Sequence, residues 1–252
     1  MKNLLDFTGQ VVLITGGRSG IGKATAVAFA EQGAKVVIAG RSHAEETLEA
    51  IKKVGGEAIF VKTDVSKAAD VENAVNTAVS KYGRLDVAFN NAGLLPVTTD
   101  LIMQTEKDFD EIIAVDLKGV FLGMKYEIPQ MLKQGGGAII NCGSVVSVVA
   151  DAGMAPYVAA KHGVAGLTRA AGIEYIKQNI RINMIAPAFT ETEMTAGWLA
   201  DPDFRELVKS FNAANRVASA DEIAGIVLFL GSPMASFIAG SIYMLDGGQT
   251  AH

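Results

Sequence analysis

Three side chains in the middle of the sequence have the types and spacing for proton transfer to an oxygen: Ser144, Tyr157 and Lys161. Tyr157 and Lys161 are four residues apart, so in a helix they share one face with Cβ atoms about 5–6 Å apart. An ammonium beside a phenol favours the phenolate, which predicts a Tyr157 pKa lowered toward neutrality. Such a tyrosine can pass a proton to or from a substrate oxygen, with the Ser144 hydroxyl as a second hydrogen-bonding partner. That is alcohol and carbonyl chemistry, and it needs a hydride carrier nearby.

The N-terminal region suggests one. The apolar run Val11-Val12-Leu13-Ile14 reads as a buried parallel strand, and Gly16-Gly17-Arg18-Ser19-Gly20-Ile21-Gly22 follows it. Apolar and small residues then recur at helical spacing through Ile21, Ala24, Val27 and Ala28, so the order is strand, Gly-rich turn, helix. Glycines in such a turn let the backbone approach a pyrophosphate seated at the positive N-terminus of the helix.

Strand and helix patterns alternate along the whole chain. Strands are predicted at 11–14, 35–39, 57–61, 85–89, 138–142, 181–185 and 241–245. Helices are predicted at 21–32, 45–54, 68–82, 106–132, 156–177 and 221–230. This predicts an α/β fold: a Rossmann-like, doubly wound domain with a seven-stranded parallel sheet and helices on both faces. With no linker, charge block or repeat, 1–252 reads as a single dinucleotide-binding and catalytic domain. Ligands bind such sheets beyond the strand C-termini, and the Gly-rich turn, Asn91, Ser144 and Pro187 all follow strands.

Composition narrows the function. Half of the 252 residues are hydrophobic and the net charge is -5, which with no basic cluster argues against nucleic-acid binding. One cysteine, Cys142, excludes an internal disulfide and fits a reducing, cytoplasmic setting; three scattered histidines offer no metal site. No secretory leader is expected, because Asp6 interrupts the opening residues. The uncharged stretch 223–245 is long enough to span a bilayer, but Gly231-Ser232-Pro233 breaks it and buried core is the better reading.

Strand two ends in Gly40-Arg41-Ser42, with no carboxylate of the kind that holds the ribose hydroxyls of NAD. Arg41 can grip a 2′-phosphate with its planar fork, Ser42 can add a hydroxyl, and Arg18 can assist. The expected cofactor is NADP(H).

Taken together the motifs resemble the short-chain dehydrogenase/reductase family, in its single-domain branch, over nearly the whole chain. The matching segments are Thr15-Gly16 with Gly20-Ile21-Gly22, Asp64-Val65, Asn90-Asn91-Ala92-Gly93, Ser144 with Tyr157 and Lys161, Arg181-Ile182-Asn183 to Pro187 with Thr190 and Thr192, and Asp246-Gly247-Gly248. The resemblance implies an enzyme reversibly reducing a ketone or aldehyde, with hydride from NADPH and the proton from Tyr157. Ser144 orients the oxygen, and Lys161 tunes Tyr157 and holds the nicotinamide ribose. It assigns cofactor contacts to Gly16, Arg18, Ser19, Gly20, Ile21, Gly22, Arg41, Ser42, Asp64, Val65, Asn91, Ala92, Gly93, Tyr157, Lys161, Pro187, Thr190 and Thr192.

A lid at 188–215 is implied, with Val145, Met154, Phe189 and Trp198, beside Ser144 and Tyr157, contacting an apolar small-molecule substrate; Leu95 is a further wall candidate. A homotetramer or homodimer built from the helices at 106–132 and 156–177 is also implied. Two positions depart from the pattern. Asp116 stands where the family has the Asn of its proton relay, and Ala188 follows Pro187 in place of Gly. Other readings are a 3-oxoacyl thioester reductase, an NAD-dependent secondary alcohol dehydrogenase and a cofactor-binding regulatory protein.

Overall fold

The computed structural model describes residues 5–95 and 97–251; residues 1–4, on which the leader reading partly falls, lie outside them. Seven parallel strands form the main sheet: β1 (Val11–Thr15), β2 (Lys35–Gly40), β3 (Glu57–Lys62), β4 (Val87–Asn90), β5 (Gly137–Cys142), β6 (Ile180–Pro187) and β9 (Ile242–Leu245). Their spatial order is β3-β2-β1-β4-β5-β6-β9, with one switch point in the winding, between β1 and β4, where the connecting helices pass from one face to the other. The connecting helices are α1 (Gly20–Glu31), α2 (Glu45–Lys53), α3 (Ala68–Tyr82), α4 (Glu106–Ile112), α5 (Lys118–Lys133), α6 (Ala155–Tyr175) and α9 (Ala220–Gly231).

Strand alternation builds a core on each face. Val12 and Ile14 of β1 pack with Phe29 of α1 and Val227 of α9, whereas Val11 and Leu13 join Ala74 of α3, Val120 of α5 and Val164 of α6. Because both faces are covered, the strands carry near-continuous apolar runs. Fully buried side chains such as Phe29 and Ile140 each contribute roughly 1.5–3 kcal/mol from burial.

One stretch differs from the expectation, and the uncharged stretch agrees with it. The helix expected over 106–132 is two helices joined by a π-helical turn, Ile113–Leu117. The wider turn carries Asp116 into the interior, where it is wholly buried. The uncharged stretch 223–245 divides into α9, a short 3-10 turn (Pro233–Ala235) and β9. Ser219 starts α9 through a capping box with Glu222. No helix among the described residues is long and apolar enough to cross a membrane.

Between β6 and α9 lies the expected lid region. It holds a two-residue strand β7 (Thr190–Glu191), short helices α7 (Ala196–Leu199) and α8 (Pro202–Ser210), and β8 (Ala218–Ser219), which pairs in parallel with β7. Phe189, Trp198 and Phe204 form an aromatic cluster with ring centroids 5.9–6.1 Å apart, which holds α7 and α8 to the root of the segment.

Candidate active site

A cleft of about 410 Å³ runs along the C-terminal edge of the sheet, from Arg41 and Ser42 at one end to Tyr157 and Trp198 at the other. It exists because the strands end there and the helices on opposite faces diverge at the β1/β4 switch point. At its centre the Gly-rich turn is locked from below. Asn91 donates its side-chain amide to Thr15 O (3.0 Å) and Gly16 O (3.3 Å), and Thr15 Oγ1 accepts from the Asn91 and Ala92 N–H groups (2.9 and 3.1 Å).

Glycine is required where the turn crosses its neighbours. Gly16 has φ +69°, and a Cβ there would lie 2.9 Å from the Ala92 Cα. A Cβ on Gly22 would collide with the Gly16 carbonyl. All the expected cofactor residues line the cleft except Gly22, which is buried beneath the turn. Its part is to let α1 approach the loop closely. The segment between β6 and α9 reaches this turn as well, since Gly20 N–H donates to a Glu193 carboxylate oxygen at 2.8 Å.

Ser144 follows β5, and Tyr157 and Lys161 lie one turn apart near the start of α6. Lys161 is buried: its Nζ donates to the Cys142 carbonyl at 3.1 Å, lies 3.1 Å from Asp116 Oδ1, and sits 5.4 Å from the Tyr157 ring centroid. Asp116 Oδ2 accepts the Leu94 N–H at 3.0 Å. Oδ1 meets Lys161 as a charge contact and has no aligned donor.

These contacts correct the expected acidity of Tyr157. Burial pushes its pKa above the ordinary value, the Lys161 ammonium pulls it back, Asp116 pushes it up again, and the Ser144 hydroxyl gives a smaller pull down. The net direction is up. Burial alone would lower Lys161, but the Asp116 carboxylate reverses this and keeps it firmly cationic. Asp116 thus takes up part of the charge that would otherwise acidify the phenol.

Val145, Met154, Phe189 and Trp198 line the cleft with Leu95; so do Leu94, Val146, Asp151, Met194 and Thr195. Arg41 and Ser42 are exposed at the far end, and the Arg41 guanidinium makes no hydrogen bond or ion pair among the described residues. It exerts a longer-range pull on Asp64. His162 is exposed, its Nδ1 3.0 Å from the Val158 carbonyl, and the described residues contain no group able to hold a metal ion.

Behind the site lies a buried polar chain that sequence reasoning missed. Asn90 Nδ2 donates to Glu127 Oε2 and to Asn141 Oδ1, both at 3.1 Å, and Asn141 Nδ2 donates to Thr168 Oγ1 at 3.0 Å. A Cβ on Gly123 would collide with the Asn90 amide, so this glycine lets α5 close over the chain. Burial, offset in part by the Asn90 amide, pushes Glu127 up to about 8. The unfolded state therefore releases this proton near the ordinary carboxylate pKa, whereas the folded state keeps it to about 8. Stability from this group is full below the unfolded value and is lost as pH rises across that window. Glu127→Gln is expected to raise Tm at pH 8, by an amount that disappears near pH 4; thermal melts at the two pH values check it.

The small residues of α6 divide by role. A Cβ on Gly163 would press on Leu117 at 2.8 Å and one on Gly172 would lie 2.5 Å from Gly240 N, so both serve packing within the chain. Gly166 faces open space.

Comparison with known proteins agrees with this geometry. A family model described as "Enoyl-(Acyl carrier protein) reductase" matches residues 16–250. The cyclohexanol dehydrogenase of Acinetobacter sp. is 39% identical over 247 residues, covering 97% of this chain and 96% of that protein. The levodione reductase of Leifsonia aquatica is 39% identical with the same coverage of both chains. A solved structure of a putative 2-deoxy-D-gluconate 3-dehydrogenase from Agrobacterium tumefaciens, with bound NADP, superposes with a TM-score of 0.92 at 34% identity and full coverage of both chains. The two relatives are named as a dehydrogenase and a reductase, and the solved structure as a dehydrogenase; the chain described above belongs to the short-chain dehydrogenase/reductase family.

Proposed function

We propose that the protein is an NADP(H)-dependent carbonyl reductase and alcohol dehydrogenase acting on a mainly apolar small molecule, with Tyr157 as the proton donor and acceptor. The observation that carries this reading is the convergence of Ser144, Tyr157 and the buried Lys161 at one end of the cleft, with the Gly-rich turn at its centre. The cleft suits a dinucleotide: it is lined by the Gly-rich turn and by the α1 N-terminus, where the Gly20 N–H now donates to Glu193. When bound, NADP(H) supplies or accepts the hydride.

The protein's own residues do the rest. Gly16, Ser19, Gly20 and Ile21 would hold the pyrophosphate, and Asp64, Val65, Asn91, Ala92 and Gly93 would flank the adenosine and ribose. Pro187, Thr190 and Thr192 would cover the nicotinamide. Ser144 hydrogen-bonds the substrate oxygen and orients it. Tyr157 gives that oxygen its proton, and Lys161 stabilises the phenolate left behind. Because the Tyr157 pKa is raised, the phenol persists well above neutrality, which favours reduction; oxidation needs the phenolate and gains as pH rises.

Arg41 carries the cofactor choice. Its unpaired, exposed guanidinium at the end of β2 suits a 2′-phosphate, and the NADP bound by the superposed structure supports the assignment. NADPH is expected to exceed NADH at least tenfold in kcat/KM, and Arg41→Asp to remove most of that preference. A tenfold preference for NADH in the wild type would sink it.

We place the enzyme in a reducing, cytoplasmic setting as a homotetramer or homodimer, with no nucleic-acid or membrane partner. Exposed Phe109, Phe121 and Ile173 on α4, α5 and α6 support assembly through these helices.

A further inference from the structure

We propose that Asp151 forms a polar subsite in the substrate half of the cleft, selecting neutral carbonyl compounds that carry a second hydroxyl and rejecting carboxylated ones. The proposal rests on the carbonyl-reductase reading and names the substrate class that this reading leaves open.

The substrate half is walled by apolar side chains, Leu94, Leu95, Val145, Met154, Phe189 and Trp198. Two charged groups beside the reacting end, Lys161 and Asp116, are buried and paired with one another at 3.1 Å. The free cations of the cleft, Arg18 and Arg41, belong to the opposite, cofactor-binding end. Asp151 is different: it lines the cleft, is exposed, and makes no hydrogen bond or ion pair among the described residues.

The loop that carries it is held in place. Gly153 has φ +81°, and its carbonyl accepts from Thr99 N (3.1 Å) and Gln104 Nε2 (3.0 Å). The same Gln104 amide also donates to the Val97 and Thr99 carbonyls, both at 3.1 Å. The turn from β5 into α6 is therefore tied to the 97–104 loop, and Asp151 is presented from a fixed backbone, without the ordering cost of a loose one.

The consequence is a charge rule. A substrate carboxylate entering this half meets an unpaired carboxylate and no unpaired cation among the described residues, so like charges are brought together there. A neutral hydroxyl placed away from the reacting carbon meets an ionised acceptor with free lone pairs, and such charge-assisted bonds are stronger than neutral ones. A plain hydrocarbon ketone gains neither effect and serves as the reference.

The test uses cyclohexanone, 4-hydroxycyclohexanone and 4-oxocyclohexanecarboxylate with saturating NADPH, each kcat/KM divided by that for cyclohexanone. In the wild type the hydroxyketone is expected to exceed the carboxylate at least tenfold. Asp151→Asn should raise the relative value for the carboxylate about tenfold, mainly through KM, and Asp151→Lys should make the carboxylate the preferred substrate of the two. A gain cannot arise from misfolding, and the internal ratio cancels any general loss. Ratios that stay within twofold across the three proteins while cyclohexanone is reduced would overturn the Asp151 assignment alone. Failure of the wild type to reduce any of the three would overturn the carbonyl-reductase reading and the subsite with it.

Discussion

Tyr157→Phe is expected to lower kcat for carbonyl reduction by roughly 10²–10⁴-fold, the range associated with losing a positioned general acid. The change deletes one oxygen and little else. A phenylalanine ring keeps the contact with Lys161, whose Nζ lies 5.4 Å from the Tyr157 ring centroid, and keeps the ring's packing in a half-buried position. NADPH affinity, read by titrating nicotinamide fluorescence, should stay within about threefold, since the residues proposed to hold the pyrophosphate and adenosine lie elsewhere in the cleft. The split between kcat and cofactor binding is the informative result. A variant within tenfold of wild-type turnover would remove Tyr157 from its role, whereas loss of both properties would point to a collapsed cleft.

The same geometry sets the pH dependence of the wild type. Burial raises the Tyr157 pKa more than Lys161 lowers it, so the proton-donating form dominates at neutral pH. The rate of reduction should be flat through neutrality and fall only as pH climbs past the raised value. Oxidation of the alcohol should run the other way, increasing along the same limb.

How far the residues disclosed this site depended on how local the signal was. Tyr157 and Lys161 were legible because a four-residue interval on a helix is sufficient to bring them together. The parallel sheet and the position of the cleft at its C-terminal edge followed from alternating strands and helices, whose crossovers have a fixed hand. The sign of the Tyr157 shift was not legible, because it depends on burial and on Asp116, which lies 45 residues from Lys161 along the chain. A π-helical turn placed that carboxylate against the ammonium, and no spacing rule for an ordinary helix predicts it. Glu127 escaped for a similar reason: an acidic residue four positions beyond Gly123 looks solvated until α5 closes on Asn90. Gly22 was recognised as necessary, but its close approach to the Gly16 carbonyl was not legible, since a motif marks where glycine is needed without saying whether ligand or backbone approaches. The two-residue strands β7 and β8 are too short to carry any periodicity.

Asp116→Asn should shift the pH profile of alcohol oxidation to lower pH and raise the rate at pH 7 by a few-fold. The carboxylate raises Tyr157 directly and also neutralises part of the Lys161 charge that would lower it. An amide removes the negative charge, and an oxygen remains to accept the Leu94 N–H, now bonded at 3.0 Å. The competing effect is loss of support for Lys161, which burial alone would drive toward neutrality. Lys161 keeps its hydrogen bond to the Cys142 carbonyl, its pKa starts far above neutral pH, and the phenolate it faces during oxidation is itself a counter-charge. The ammonium therefore survives, and the effect on Tyr157 dominates. Stability moves in the opposite sense: breaking a buried ion pair costs about 3–5 kcal/mol when one charge is left uncompensated, and the amide oxygen offsets part of that. The expected outcome is a more active, less stable enzyme in the oxidation direction, measured by pH–rate profiles beside thermal melts. A profile that stays in place, or moves to higher pH, would mean that Asp116 serves Lys161 by position alone and contributes no field at the phenol.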